Sequence, residues 1–221
     1  MDSEEDLRHR RFAPKEVRRQ QLIEATLESL AENGISGTTM AAVTGRAGLS
    51  MGIVSLHFKS KDNLLTSTLR YLSEEIREAW VNIYCDKSLS AADRLRGIIG
   101  SCFDPHICSE TKIAVWFAFF GEAKYRQVYR DMVEEFDDER FAAIQELCTQ
   151  IVAECGYSDV SPEMLATTIE SLFDGLWLNM ILYPDWLTPI AAETQVLDLL
   201  ARHFTKDFTL APVSAAQGIF T

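Results

Sequence analysis

Residues 38–65 read TTMAAVTGRAGLSMGIVSLHFKSKDNLL, and the punctuation of this stretch decides the fold. Thr38 and Thr39 are N-cap residues ahead of a small-residue helix, Met40–Ala47. Gly48 stops that helix, because glycine takes the left-handed conformation of a sharp C-terminal turn. Leu49 plugs the turn, and Ser50 caps a second helix from Met51 to about Phe58. Alanine, valine and glycine in the first helix let another helix cross it closely, and the whole makes a helix-turn-helix pattern. At 1.5 Å per residue the second helix is roughly 12 Å long, a fit for a DNA major groove. Ser50, Met51, Gly52, Ser55 and His57 are expected on its exposed side. Ile53, Leu56 and Phe58 are expected on its buried side, with Val54 at the boundary. Gly52 lets the backbone approach DNA, and Ser55 and His57 offer hydrogen bonds to base edges or phosphates. Lys61 adds a positive charge at the start of the next helix. Arg18, Thr39 and Arg46 complete the expected DNA-facing set. The same turn would also serve an ordinary corner between packed helices; the surrounding charge favours DNA.

That charge is unevenly spread within a net −12. From Leu7 to Lys61, nine Lys/Arg stand against four Asp/Glu, a balance of +5. Residues 1–6 hold four acids, and from Asp62 onward twelve basic residues face twenty-five acidic ones, a balance of −13. A cationic segment supplies phosphate affinity. The anionic remainder is held away from DNA and favours a cationic ligand.

The stretch GRAGLSMGIVSLHFKSKDNLL, within a match running from about Arg18 to Leu65, resembles the helix-turn-helix signature of TetR-family transcriptional regulators. The shared features are the glycine turn, Ser-x-Gly, an aromatic near the helix end, and Ser-Lys-Asp/Glu-x-Leu. Most members carry tyrosine where this chain has Ser55. The Gly-Ile-x-Ser variant at 52–55 resembles the BetI branch, choline-responsive repressors. Phe103-Asp104, Trp116 to Phe120 and Asp174 to Leu178 are similar to that branch more loosely. The resemblance implies an all-α, TetR-like fold: an N-terminal three-helix DNA-binding domain and a larger helical ligand-binding and dimerisation domain. It implies a cytoplasmic homodimeric repressor on a near-palindromic operator, released by a small molecule, with choline or a related quaternary amine foremost. The alternative is a TetR-like regulator of an unrelated metabolite or efflux system with a hydrophobic ligand.

The rest of the chain supports an all-helical reading, since no segment alternates with period two. Residues 1–13 are expected to be a disordered arm, 14–60 the DNA-binding domain, 61–210 the sensing and dimerisation domain, and 211–221 a flexible tail. A first helix is expected from Pro14 to Asn33, with Leu22, Ile23, Leu27, Leu30 and Ala31 on one face. A long helix from Lys61 to about Tyr84 carries Leu65, Leu69, Leu72, Ile76, Ala79 and Ile83 in a stripe. It connects the two domains and is the natural lever between them. Helices follow at 91–102, 109–123, 126–155, 162–182 and 189–208. Gly97-Ile-Ile-Gly100 is no phosphate loop, because no Gly-Lys-Ser/Thr follows it.

Candidate effector residues are Trp116, Phe120, Tyr125 and Trp177, with Asp174 or Glu122 near in sequence. Aromatic faces attract quaternary ammonium groups, and a carboxylate adds charge. Asp174 interrupts an apolar face, where a buried carboxylate needs a partner. The plain alternative for each aromatic is a place in the core. The last two helices can pack against their own copies. The resemblance implies a four-helix dimer interface there, for which Leu165, Ile169, Leu172, Leu197, Leu200 and Phe204 are the candidates.

Several classes are set aside. Five cysteines without CxxC spacing do not form a disulfide framework. Cys102, His106 and Cys108 offer three zinc donors without a fourth. No metal or cofactor is expected. No apolar run spans a bilayer and the N-terminus is charged, so a cytoplasmic protein without membrane contact is expected. Glu122, Asp174 and His106 are the groups an enzyme would have to use, but no nucleophile–base motif or metal triad accompanies them. An adaptor that binds only protein is the third possibility.

Overall fold

The computed structural model describes residues 14–124 and 126–209. The expected arm and tail, and Tyr125, lie outside the described residues. Among the described residues there are nine helices and no strand: α1 Lys15–Gly37, α2 Met40–Ala47, α3 Met51–Phe58, α4 Lys61–Cys85, α5 Ala91–Cys102, α6 Glu110–Ala123, α7 Gln127–Cys155, α8 Pro162–Leu182 and α9 Pro189–His203. The chain forms two compact units. One takes in the chain as far as Tyr71 together with Ala114–Tyr129, and the other Leu72–Ile113 with the chain from Arg130 onward.

In the first unit, α1 buries Leu22, Ile23, Ala25, Leu27 and Leu30. Gly34 breaks the helix at φ 64°, ψ −177°, and one further turn runs to Gly37 rather than ending at Asn33. Thr38 does not cap α2. It is buried and spends its hydroxyl on the end of α1, donating to the Gly34 carbonyl at 2.9 Å and pairing with Ser29 at 3.1 Å. Val43, Val54, Phe58, Leu64, Leu65 and Leu69 complete a core in which apolar burial supplies most of the cohesion. From the other segment of this unit, Val115, Trp116, Phe119 and Tyr129 are also buried, Phe119 meeting Tyr129 edge to face at 5.1 Å.

In the second unit the apolar stripe of α4 continues through Leu72, Ile76 and Trp80, the last an inward residue that the expected stripe omitted. Ser90 caps α5 by accepting from the Asp93 amide at 3.1 Å. Gly97 has a packing role: a Cβ there would lie 2.6 Å from Ile83 Cγ2, so glycine lets α5 cross α4 closely. Buried Arg94 ties three segments, donating to the Tyr84 carbonyl at 3.2 Å and Gln150 Oε1 at 2.7 Å. Ser161 and Thr188 cap α8 and α9, each followed by proline in the first turn. α9 ends at His203 instead of Phe208, but Phe204 and Phe208 remain buried in the turns that follow. Cys102, Cys108 and Cys148 are buried, Cys155 half-buried and Cys85 exposed. Burial pushes the thiols of Cys102 and Cys148 up to about 12 and that of Cys108 to about 11.

Candidate functional site

The helix-turn-helix is assembled by its own local chemistry. Thr39 Oγ1 accepts from the Ala42 amide at 3.1 Å and caps α2. Gly48 takes φ 64°, ψ 30°, and the Leu49 amide reaches back to the Thr44 carbonyl at 3.0 Å. Ser50 has the extended backbone of an N-cap, but its side chain makes no capping bond, which leaves its hydroxyl outward. Met51, Gly52 and Ser55 are exposed as expected. Val54, expected at the boundary, is fully buried; Leu56, expected on the buried side, is 72% exposed, and Ile53 is half-buried. The reason is angular. At roughly 100° per residue, Val54 shares an arc with Phe58 four residues on, while Leu56 falls beside Gly52 and Ser55. The outward arc is therefore Met51, Gly52, Ser55 and Leu56. Leu56 was missed because helical spacing in two turns of mostly apolar residues does not single out one face. An exposed leucine there suits a thymine methyl.

Cations flank this arc. His57 is half-buried, with Nδ1 buried and without a hydrogen-bond partner among the described residues. Burial first, and then Lys15, Arg19 and Arg18 against the opposing Glu16, hold its imidazole below the ordinary histidine range. The start of α1 thus lies beside the end of α3. Arg19 also sits over the Phe58 ring, 5.6 Å from its centroid. Two expected DNA contacts are otherwise engaged. Arg46 donates to Glu28 at 3.1 Å and to Glu32, so two carboxylates offset its charge. Lys61 donates to the Ile35 carbonyl at 2.7 Å and staples the start of α4 to the end of α1. Neither presents a bare charge, because the α1 turns that face them supply acceptors at close range.

The expected effector residues fall in both units. In the first, Trp116 is buried with its indole N–H unpartnered among the described residues, and Phe120 lies 5.8 Å from it by ring centroids. In the second, the Trp177 indole donates to the Cys102 carbonyl at 3.2 Å, which makes it a tied core residue. Asp174 is exposed, a correction to its expected place in an apolar face: α8 is apolar on two sides and Asp174 lies off the inward one. Close by, Arg140 grips Glu170 with two bonds, at 3.0 and 2.5 Å, and Asp137 at 3.1 Å. The guanidinium lies 5.8 Å from the centroid of Phe173, which itself meets Phe103 edge to face at 5.7 Å. Burial, relieved by Arg140 and reinforced by Glu170 and Asp174, raises the Asp137 carboxyl to about 6. Asp174, open to solvent on one side, is also raised by partial desolvation against its neighbours and by Glu170, with Arg140 opposing. Two carboxylates thus hold one guanidinium, with Asp174 within electrostatic range of it, a grouping missed in the sequence because α7 and α8 meet only in three dimensions. A separate cleft of about 260 Å³ is lined by Pro105, Cys108, Ile113, Met180, Pro184 and Leu187, with Glu110 at its edge. Two of the acid–base candidates have close polar neighbours: His106 Nε2 lies 3.1 Å from Glu75 Oε1, and Glu122 accepts from Arg126 at 3.3 Å.

Of the expected dimer residues, Leu165, Ile169, Leu200 and Phe204 are buried within the chain and have no surface to offer; Leu172 and Leu197 are half-buried. The outward apolar side chains are Met164, Leu178 and Leu182 on α8 and Ile190 on α9. Along α8 the outer stripe is Met164, Thr168, Ser171, Gly175, Leu178 and Leu182, at heptad spacing with small residues in the middle.

Comparison with known proteins agrees with this arrangement. Residues 22–68 match the bacterial regulatory proteins of the tetR family, and residues 91–205 match the C-terminal domain of BetI-type transcriptional repressors. The HTH-type transcriptional regulator BetI of Escherichia coli strain K12 is 30% identical, covering 86% of this chain and 96% of its own. A putative transcriptional regulator from Pseudomonas aeruginosa PAO1 superposes with a TM-score of 0.75 at 24% identity, over 90% of this chain and 97% of that one. A putative transcriptional regulator from Saccharomonospora viridis, solved in complex with choline, superposes with a TM-score of 0.72 at 19% identity, over 84% and 95%. With its glycine-turned helix-turn-helix and a C-terminal region that matches that of BetI-type repressors, the chain belongs to the TetR family of DNA-binding transcriptional regulators.

Proposed function

We propose that the protein is a homodimeric repressor released from its operator by a small quaternary amine, choline foremost, and that it works in the cytoplasm. The observation that carries the effector reading is the surplus of carboxylates in the second unit. Asp137 and Glu170 hold the single guanidinium of Arg140, with Asp174 within electrostatic range of it, beside the rings of Phe103 and Phe173. That combination suits a quaternary ammonium group, which has no N–H to donate and takes its stabilisation from charge and aromatic faces. The choline in the Saccharomonospora viridis regulator adds weight. Trp116 and Phe120, in the other unit, are the second candidates for effector contact. Residues 14–60 serve as the DNA-reading domain and 61–210 as the sensing and pairing domain. Arg18, Thr39, Ser50, Met51, Gly52, Ser55 and Leu56 meet DNA, with His57 and Lys61 at the edge of the contact. Two copies pair through Met164, Leu178, Leu182 and Ile190 and set their α3 helices in successive major grooves, about 34–36 Å apart.

The test is fluorescence anisotropy on duplexes drawn from the protein's own genome, with choline chloride, betaine and tetramethylammonium as probes. Salt-dependent binding that choline weakens supports the reading. Binding that all three leave unchanged overturns the effector. A second reading, a hydrophobic effector, is favoured by the largely apolar cleft lined by Ile113, Met180 and Leu187; release by an uncharged apolar compound and not by amines would select it.

A further inference from the structure

Within the first unit, the corner between α6 and α7 is fastened to the first turn of α4. Arg126 donates from Nη1 to Asp62 Oδ1 at 3.0 Å and from Nε to Glu122 Oε2 at 3.3 Å. Its guanidinium also lies over the Tyr129 ring, 5.5 Å from the centroid. Asp62 directly follows Lys61, whose ammonium holds the Ile35 carbonyl at 2.7 Å. A continuous set of polar ties therefore runs from the end of α6, through Arg126 and the start of α4, to the last turn of α1 behind the reading helix. The grouping of Ala114–Tyr129 with the chain up to Tyr71 is an independent sign that this corner packs with the DNA-reading end.

The Arg126–Asp62 bridge is exposed, at 37% and 72% of the two side chains, and exposed bridges add little to global stability. It suits a tie that sets geometry and can be undone.

We infer that Arg126 is a positioning residue for operator binding: its bridge to Asp62 holds the first turn of α4 in the arrangement that presents α3 to DNA. The bridge opens as the effector releases the operator, a clause that rests on the release mechanism proposed above.

The test uses the full-length protein and the duplex that the wild type retains most tightly from its own genomic DNA. Charge alone makes a clear contrary forecast: Asp62→Asn removes a negative charge from the DNA-binding end and should tighten binding. Loss of the bridge does the reverse. Asp62→Asn and Arg126→Gln are each expected to weaken binding by about tenfold, a common size for coupling between sites. The reversed pair Asp62→Arg with Arg126→Asp, which keeps the net charge, is expected to regain most of that loss. Thermal melting should stay close to wild type throughout. Binding by Asp62→Asn as tight as or tighter than wild type, or a reversed pair no better than the single variants, overturns the proposal. With choline chloride added, the single variants should show a smaller fold-change than wild type. If choline leaves even the wild type unmoved while the single variants still bind weakly and the pair recovers, the effector assignment falls and the positioning role stands.

Discussion

His57 shows how one side chain links folding to pH in this protein. Its imidazole is held below the ordinary histidine range, chiefly by burial and by Lys15. The unfolded chain therefore binds a proton at this position more readily than the folded one. Stability from this residue is complete above the ordinary histidine pKa and is lost as pH falls from there through the lowered folded value. Denaturant titration from pH 7.5 down to 5.5 should show a decline that His57→Gln makes shallower. Asp137 links ligand binding to pH. With its carboxyl raised to about 6, it is charged above that pH and neutral below it. Choline affinity should rise as pH increases through about 6, and Asp137→Asn should flatten the curve in isothermal titration; a wild-type curve flat across pH 5–8 would remove Asp137 from the site.

At the scale of helices, Gly97 is the most demanding position. Gly97→Ala places a Cβ 2.6 Å from Ile83 Cγ2 and must push α5 off α4. It should cost about 1–3 kcal/mol, read as a lower denaturant midpoint at unchanged slope. The sequence shows that two glycines stand there, yet the reason for the first lies in Ile83, fourteen positions earlier. The same contrast recurs along the chain. Thr39, Gly48, Ser161 with Pro162, and Pro189 were legible as helix boundaries because caps and breakers act within a few residues. The inward face of α3 was not, since eight mostly apolar residues give no contrast between faces. Nor was the Lys61 contact with Ile35, or the gathering of Asp137, Arg140 and Glu170, because each depends on which helices become neighbours.

For the whole molecule, α8 has one apolar side buried in the chain and one exposed, and the pairing proposed above uses the exposed one. Leu165, Ile169 and Phe173 are spent inside the chain, while Met164, Leu178 and Leu182 lie outward and Ile190 on α9 is 77% exposed. Leu178→Glu together with Ile190→Glu should leave the monomer folded, by unchanged circular dichroism. It should halve the mass seen by light scattering and abolish tight operator binding, since one reading helix alone spans half a site. A double variant that stays dimeric would place the pairing surface elsewhere. The distribution of thiols has a practical corollary. Three cysteines are sealed in the interior with their thiols pushed to about 11 or 12, and a fourth, Cys155, leans on Asp207. Only Cys85, at the last residue of α4, is open. Brief maleimide treatment of the native protein should modify that position first, and peptide mass mapping would verify it. The wild-type chain thus carries its own attachment point for a dye at the end of α4, ready for testing in real time whether that helix shifts, without any engineering.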